Sequence, residues 1–404
     1  MSLSNLKPEC RILLLSLLDK YSIGKSFCIS MADMEKEFFT TRNVITDLFT
    51  YLKEHYYVAI DRKFTIRGRG RYIYTFLNGL AAFIEQDQLL SKAYKSNDFM
   101  IQKIIRNELQ ETTISLRSSH RLFILILVIH ADQMGRISGI ASSKIRQMMG
   151  SISPDRFKSQ MRKLQSLKLL SCYIAGLTSK KLFGKITSTY FINLNHPVFL
   201  DWLPETSSIF IEAESLQCLD VNHSSEANAL IIASKDHRPS FPILSPLKDK
   251  IYREHISPFF CENNEHDNLQ LRLFNIASQI LLYTCGDMKK IKMKSLSEEQ
   301  ESSHKIIDLC DWTKVLPEGS CALLKKLAID SNLLSFELIE RALSDVNINA
   351  DIKSDISKQY CSLVYTLFLL SINIANRYKA MFMKIAGDDS IIKEFCIIPK
   401  QKIG

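Results

Sequence analysis

The chain has 404 residues, of which 46% are hydrophobic and 24% charged, and it carries a net charge of +9. Those fractions belong to a folded protein with room for two or three domains, and they exclude a disordered or fibrous chain. The ten cysteines occur singly, with no Cys-x-x-Cys pair, which excludes a zinc ribbon or a dense disulfide framework and points to a reducing cytoplasm.

The charge is unevenly spread. Residues 1–204 hold 29 Lys and Arg against 16 Asp and Glu, a balance of +13, which leaves −4 for the rest. A basic N-terminal half is the footprint of a protein that meets a polyphosphate. Met1 to Pro8 lacks the apolar run and cleavage site of a secretory signal, so the expectation is a cytosolic chain.

Arg11 to Leu18 is apolar almost throughout and suits a first helix buried against several partners. Ser26 to Ser30 reads as a short strand and Met31 to Phe38 as a second helix. Thr40 stands where the N-cap of a third helix is expected. Beyond it Val44, Ile45, Leu48, Phe49 and Leu52 form one apolar stripe, leaving Thr41, Arg42, Asn43, Thr46 and Thr50 to the outer face. Arg and Asn in that first turn are the types that bond guanine and adenine edges in a major groove. Two β-prone runs follow, Tyr57 to Ile60 and Tyr72 to Phe76. Their join carries Arg62, Lys63, Arg67, Arg69 and Arg71, with glycines at Gly68 and Gly70 that let backbone approach a phosphate or a narrow minor groove. A basic hairpin tip with no ligand is the alternative reading.

The same order then recurs. Leu122 to His130 reads as an apolar helix and Ala141 to Met149 as a small one. Ser153-Pro154-Asp155 supplies an N-cap, a proline at the first helical position and an acid in the first turn. The helix so opened turns Phe157, Met161, Leu164 and Leu167 to one side, with Arg156, Ser159, Arg162 and Lys163 on or near the other. Leu170 to Ala175 and Thr189 to Leu194 read as strands around a loop holding Lys180, Lys181 and Lys185. Those lysines suit phosphate contacts, whereas Arg156 and Arg162 are candidates for bases.

From this order over residues 9–77 and 119–194, the chain resembles the winged-helix DNA-binding superfamily, in tandem. The likeness is to an architecture and covers a little under half of the chain. Tandem winged helices look like plasmid replication initiators and some regulators of mobile elements or phages. Winged-helix subunits of chromosome-condensation complexes share the fold. The resemblance implies DNA binding through the second helix of each helix pair and through the wing, and it implies no catalytic residue.

Pro204 to Ser257 is rich in Ser, Asn, His and Pro and marks a boundary. Helices are expected at Leu269 to Tyr283, Cys321 to Ser331, Phe336 to Val346 and about Asp355 to Ala386, with Lys289 to Ser303 as an exposed connection. In the last helix Val364, Leu367, Ser371, Ile374, Tyr378, Met381 and Ile385 recur at steps of three and four, which suits either a dimer seam or the centre of a bundle. The uncharged stretch Gln359 to Asn376 is interrupted by polar residues and reads as a buried helix, not a membrane span. Gly24-Lys25-Ser26 lacks the earlier glycine of a phosphate-binding loop, His255, Cys261 and His266 match no metal spacing, and no hydrolase or metalloprotease motif is present.

The fold expected is therefore mainly α with small β-hairpins: two tandem winged-helix domains followed by a C-terminal α-helical domain. The divisions are a first winged-helix domain at 1–85, a linking helix at 86–118, a second winged-helix domain at 119–204, an irregular connection at 205–260 and a helical domain at 261–404. The expected activity is sequence-specific binding of double-stranded DNA by a transcriptional regulator, without catalysis, cofactor or metal. A replication initiator on origin repeats is the second expectation and an assembly subunit of a DNA-organising complex the third. The expected setting is the cytoplasm, at the nucleoid and not at a membrane, with a homodimer through the C-terminal helices.

Overall fold

The computed structural model describes residues 6–63, 71–111, 116–179, 184–202, 208–212, 227, 229–231, 266–295, 366–367, 370–371, 373–375, 377–378 and 394–398. These divide into two compact units, Met1–Ser171 with Thr189–Leu203, and Cys172–Ser188 with Pro204–Gly404. The described residues are mainly helical, with small antiparallel three-stranded sheets.

In the first unit, α1 (Pro8–Lys20) opens with a proline in its first turn and Glu9 beside it, both suited to a helix start. Residues 10–18 of α1 are buried on every side, as a helix apolar all round must be. Then come β1 (Ser26–Cys28), α2 (Met31–Glu37), α3 (Arg42–Glu54), β2 (Val58–Lys63) and β3 (Arg71–Phe76). The three strands form an antiparallel sheet in the order β1-β3-β2, with Phe27 opposite Tyr74 and Ile60 opposite Tyr74. Thr41, not Thr40, is the N-cap of α3, and its hydroxyl makes no capping bond. The turn before it spends a residue on Phe39, held at φ +49°.

The order then repeats: α7 (Ser118–His130), β4 (Arg136–Ile137), α8 (Ser142–Met148), α9 (Pro154–Ser166), β5 (Leu170–Ile174) and β8 (Thr189–Ile192), with sheet order β4-β8-β5. The repetition reaches individual residues. Phe39 and Ser151, each three residues before its third helix, are both left-handed, as are Tyr56 and Lys168, each two residues past that helix. Arg11 and Arg121, each the fourth residue of its first helix, are both buried.

Between the repeats, the expected linking helix of 86–118 is instead three short pieces: α5 (Gln88–Tyr94), α6 (Phe99–Ile105) and a 3-10 turn at Glu108–Glu111, preceded by α4 (Asn78–Gln86). Two aspartates start new helices here. Asp87 accepts from the amides of Leu89 and Leu90, directly after α4 ends, and Asp98 accepts from those of Met100 and Ile101, four residues after α5 ends. α5 and α6 pack against both α1 and α7, and those two first helices pack directly on one another. The two expected N-terminal domains are consequently one body, and the division falls at Ser171/Cys172, with the second hairpin on the other side of it.

In the second unit that hairpin is β6 (Thr178–Ser179) and β7 (Gly184–Lys185), with Thr178 opposite Lys185. Its base is tied to α10 (His266–Ser295): the side chain of Asn268 donates to the carbonyl of Ala175 at 3.0 Å. α10 runs through the stretch from Lys289 to Ser295 that was expected as an exposed connection. Residues 205–260, expected to be irregular, contain β9 (Ser208–Glu212), and the expected helical domain contains β10 (Glu394–Ile398). The apolar cores of both segments, Ile209 to Ile211 and Phe395 to Ile398, pair in parallel, with Phe210 opposite Cys396. Ser278 Oγ on α10 accepts from Ile397 N at 3.0 Å, which fastens the strand to the helix. Leu367, Ser371, Ile374 and Tyr378 are all buried in the single chain, so this part of the proposed dimer seam is already covered. Val364, Met381, Ile385 and the helices expected at 321–331 and 336–346 lie outside the described residues.

Candidate nucleic-acid interface

The orientation of α3 is set by aromatic packing behind it. Phe49 lies 4.6 Å from Tyr74 on β3, Tyr74 lies 5.6 Å from Phe27 on β1, and Phe27 stacks on Tyr21 at 3.9 Å. With Ile45, Leu48, Phe49 and Leu52 buried, the helical period leaves Thr41, Arg42, Asn43, Thr46 and Thr50 exposed on one side. Two acids lie toward this side: Asp47, held by Lys7 at 2.7 Å, and Glu54 in the last turn, away from Arg42 and Asn43.

The first turn of α3 contains no acid. It forgoes the modest stabilisation that Asp or Glu gives at the positive end of a helix, as those of α4 to α8 also do. Together with a cap residue whose hydroxyl makes no capping bond, it gives a surface of amide, hydroxyl, amide side-chain and guanidinium donors that suits an anion or base edges.

Beyond α3 the β2–β3 hairpin opens, with Lys63 opposite Arg71. Arg62 is exposed, and its guanidinium lies 5.9 Å from the centre of the Tyr72 ring, itself exposed, a cation–π arrangement that holds the charge at the surface. Arg67 and Arg69 lie outside the described residues, and only the backbone pairing is described for Lys63 and Arg71.

The second repeat differs. Ser153 caps α9, its hydroxyl accepting from Arg156 N at 3.2 Å, and Asp155 occupies the first turn. Phe123 of α7 packs 5.2 Å from Phe157, which sends Ser159, Arg162 and Lys163 outward. Arg156, expected to touch bases, pairs with Glu9 of α1 at 2.8 Å. Its charge is spent joining the two repeats. Lys180 and Lys181 lie outside the described residues, while Lys185 sits on β7.

Sequence reasoning missed Lys144 on α8, Lys158 on α9 and Arg117 before α7, all exposed. Lys158 had a signal, since it lies one position from Ser159 on a helix whose inward residues were already identified.

The pKa of Lys7 is raised by its hydrogen bond and charge pairing with Asp47, and burial governs the cysteine titrations. It pushes the Cys10 and Cys172 thiols up to about 12, which keeps them protonated and inert. His120 is driven below its ordinary range by burial and by Arg117 and Lys163. Among the described residues no group of three or more His, Cys, Asp or Glu could hold a metal ion, and no helix is long and apolar enough to cross a membrane. His255 and Cys261 lie outside the described residues. No family model and no curated protein matches the chain.

Proposed function

We propose that the chain is a sequence-specific double-stranded DNA-binding protein that regulates transcription, and that its two repeats are winged-helix modules of unequal role. The reading rests on the exposed, acid-free first turn of α3 with Arg42 and Asn43. That turn has the side chains a major groove requires and gives up the acid a helix start prefers. The strand order β1-β3-β2, with a basic segment between β2 and β3, supports a wing beside that helix. In the second repeat the charge of Arg156 is engaged by Glu9. There Arg162, Lys163 and the hairpin lysines serve to grip phosphate, which positions a protein without reading sequence. The first repeat reads and the second holds.

Selection of DNA from a random pool by the full chain, followed by titration of the selected duplex, tests this. Arg42→Ala and Asn43→Ala should each weaken binding to that duplex by about 5- to 150-fold, while binding to unrelated DNA changes little. Arg156→Ala should affect the two kinds of duplex alike. Joint replacement of Arg67, Arg69 and Arg71 by Ala should flatten the dependence of log affinity on log salt by up to about 3. A chain that enriches no sequence, and whose binding does not depend on salt, would sink the proposal. Mapping of bound sites in cells should place them at promoters.

A further inference from the structure

Phe39 is a phenylalanine in the wrong place for folding. It sits between α2 and α3 with its backbone at φ +49°, and 57% of its surface is exposed. The left-handed region strains any residue with a Cβ and is filled by Gly, Asn or Asp where the chain is free to choose. A ring with more than half of its surface exposed gains less from burial to offset that strain than a core phenylalanine would. The equivalent position before α9 holds Ser151, at φ +56°, so the turn itself does not call for an aromatic. Strained, unburied residues that persist belong to surfaces where something other than stability selects them.

The place of the ring indicates what it would meet. Phe39 lies three residues before Arg42, at the end of α3 where the exposed Thr41, Arg42 and Asn43 cluster. A phenyl ring cannot hydrogen-bond to a base edge. The one apolar group that a major groove presents is the C5-methyl of thymine. Resting on the DNA-binding reading above, we infer that Phe39 is a specificity-determining residue of the first repeat that packs on a thymine methyl next to the bases read by Arg42 and Asn43.

Tyr56 supplies an internal control. It too is left-handed, at φ +56°, and it is 82% exposed, but it follows the other end of α3, about 20 Å away along a helix of this length. Strain and exposure are shared with Phe39, so the distance of Tyr56 from Arg42 and Asn43 alone predicts no base contact there.

The test uses the full chain and a duplex selected by it, made once with thymine and once with uracil, which lacks only the methyl. The wild type should bind the uracil duplex about fourfold more weakly for each methyl contacted. Phe39→Gly should bind the thymine duplex as weakly as the wild type binds the uracil one, and should no longer distinguish the two. Its melting temperature should equal or exceed that of the wild type, and Tyr56→Gly should keep the full thymine preference. Undiminished thymine preference in Phe39→Gly would overturn the inference. So would an equal loss on both duplexes, which would place the ring on sugar or phosphate, or a melting temperature several degrees lower, which would make it a packing residue. Absence of salt-dependent DNA binding by the wild type would instead remove the function on which the inference rests.

Discussion

Arginine is among the side chains least often buried, yet each repeat hides one at the fourth residue of its first helix. The two are satisfied differently. Arg11 Nη2 donates to Asp87 Oδ2 at 2.6 Å, and Asp87 in turn caps α5. Arg121 instead donates to the carbonyls of Ile104 and Ile105, where α6 ends. A cation at a helix C-terminus is favoured by the exposed carbonyls and the helix dipole. Burial nonetheless pushes the Arg121 guanidinium down to about 10. Both arginines thus fasten the connecting helices to the paired first helices. Arg121→Met should destabilise the protein by about 2–4 kcal/mol in urea unfolding, because it strips charged donors from buried carbonyls. Arg121→Lys should recover little of that, since one ammonium cannot reproduce the guanidinium fork. A loss below about 0.5 kcal/mol for Arg121→Met would show that water replaces the guanidinium there.

Within elements, the tightest joint lies where the N-terminal segment meets the turn between α8 and α9. Gly150 stands at φ +82°, and a Cβ placed on it would lie 2.2 Å from the carbonyl oxygen of Leu6. Gly150→Ala should cost on the order of 2–5 kcal/mol, from left-handed strain plus the displaced backbone. Gly139→Ala is the reference: φ is +79° there, but a Cβ placed on it would have nothing within 4 Å, so it should cost only about 1–2 kcal/mol. Thermal unfolding of the two variants separates strain from contact, and equal losses would rule out the Leu6 contact. Elements of this kind were only partly legible in the sequence. Ser153-Pro154-Asp155 announced α9 because caps and first-turn preferences are local. The breaks at Asp87 and Asp98 use the same local chemistry, but 86–118 reads only as one linking helix between the repeats when the two caps are left out of account. The pairing of β9 with β10 joins segments that lie far apart in the chain, and neither strand carries a mark of its partner. In the candidate site, Arg42 and Asn43 could be found from the apolar stripe opposite them. The capture of Arg156 by Glu9 could not, because it depends on how two repeats meet.

That meeting sets the behaviour of the whole first unit. A repeat that folds alone needs its first helix covered on one side only, with the other side polar. α1 has no polar side: Ile12, Leu13, Leu14, Leu15, Leu17 and Leu18 are all buried, around the whole helix. α7 is built alike, with Leu122 to Val128 buried throughout. The two helices serve as each other's covering, together with α5 and α6. Residues 1–86 made as a separate fragment would therefore expose the apolar face that α7 covers, at about 1.5–3 kcal/mol for each large side chain returned to water, against a total stability of about 5–15 kcal/mol for a whole domain. The fragment should be unfolded or self-associated by circular dichroism and sedimentation. Residues 1–204 contain both repeats and all the helices that join them, and should melt in one transition shared by both. A stable, monomeric 1–86 would show that the first repeat stands alone, and two separate transitions in 1–204 would show the repeats are independent. One transition makes α3 and α9 a rigid pair; on the DNA-binding function proposed above, a duplex bound by both is held at a single spacing, and inserting half a helical turn between the two contacts should reduce binding to that of one repeat.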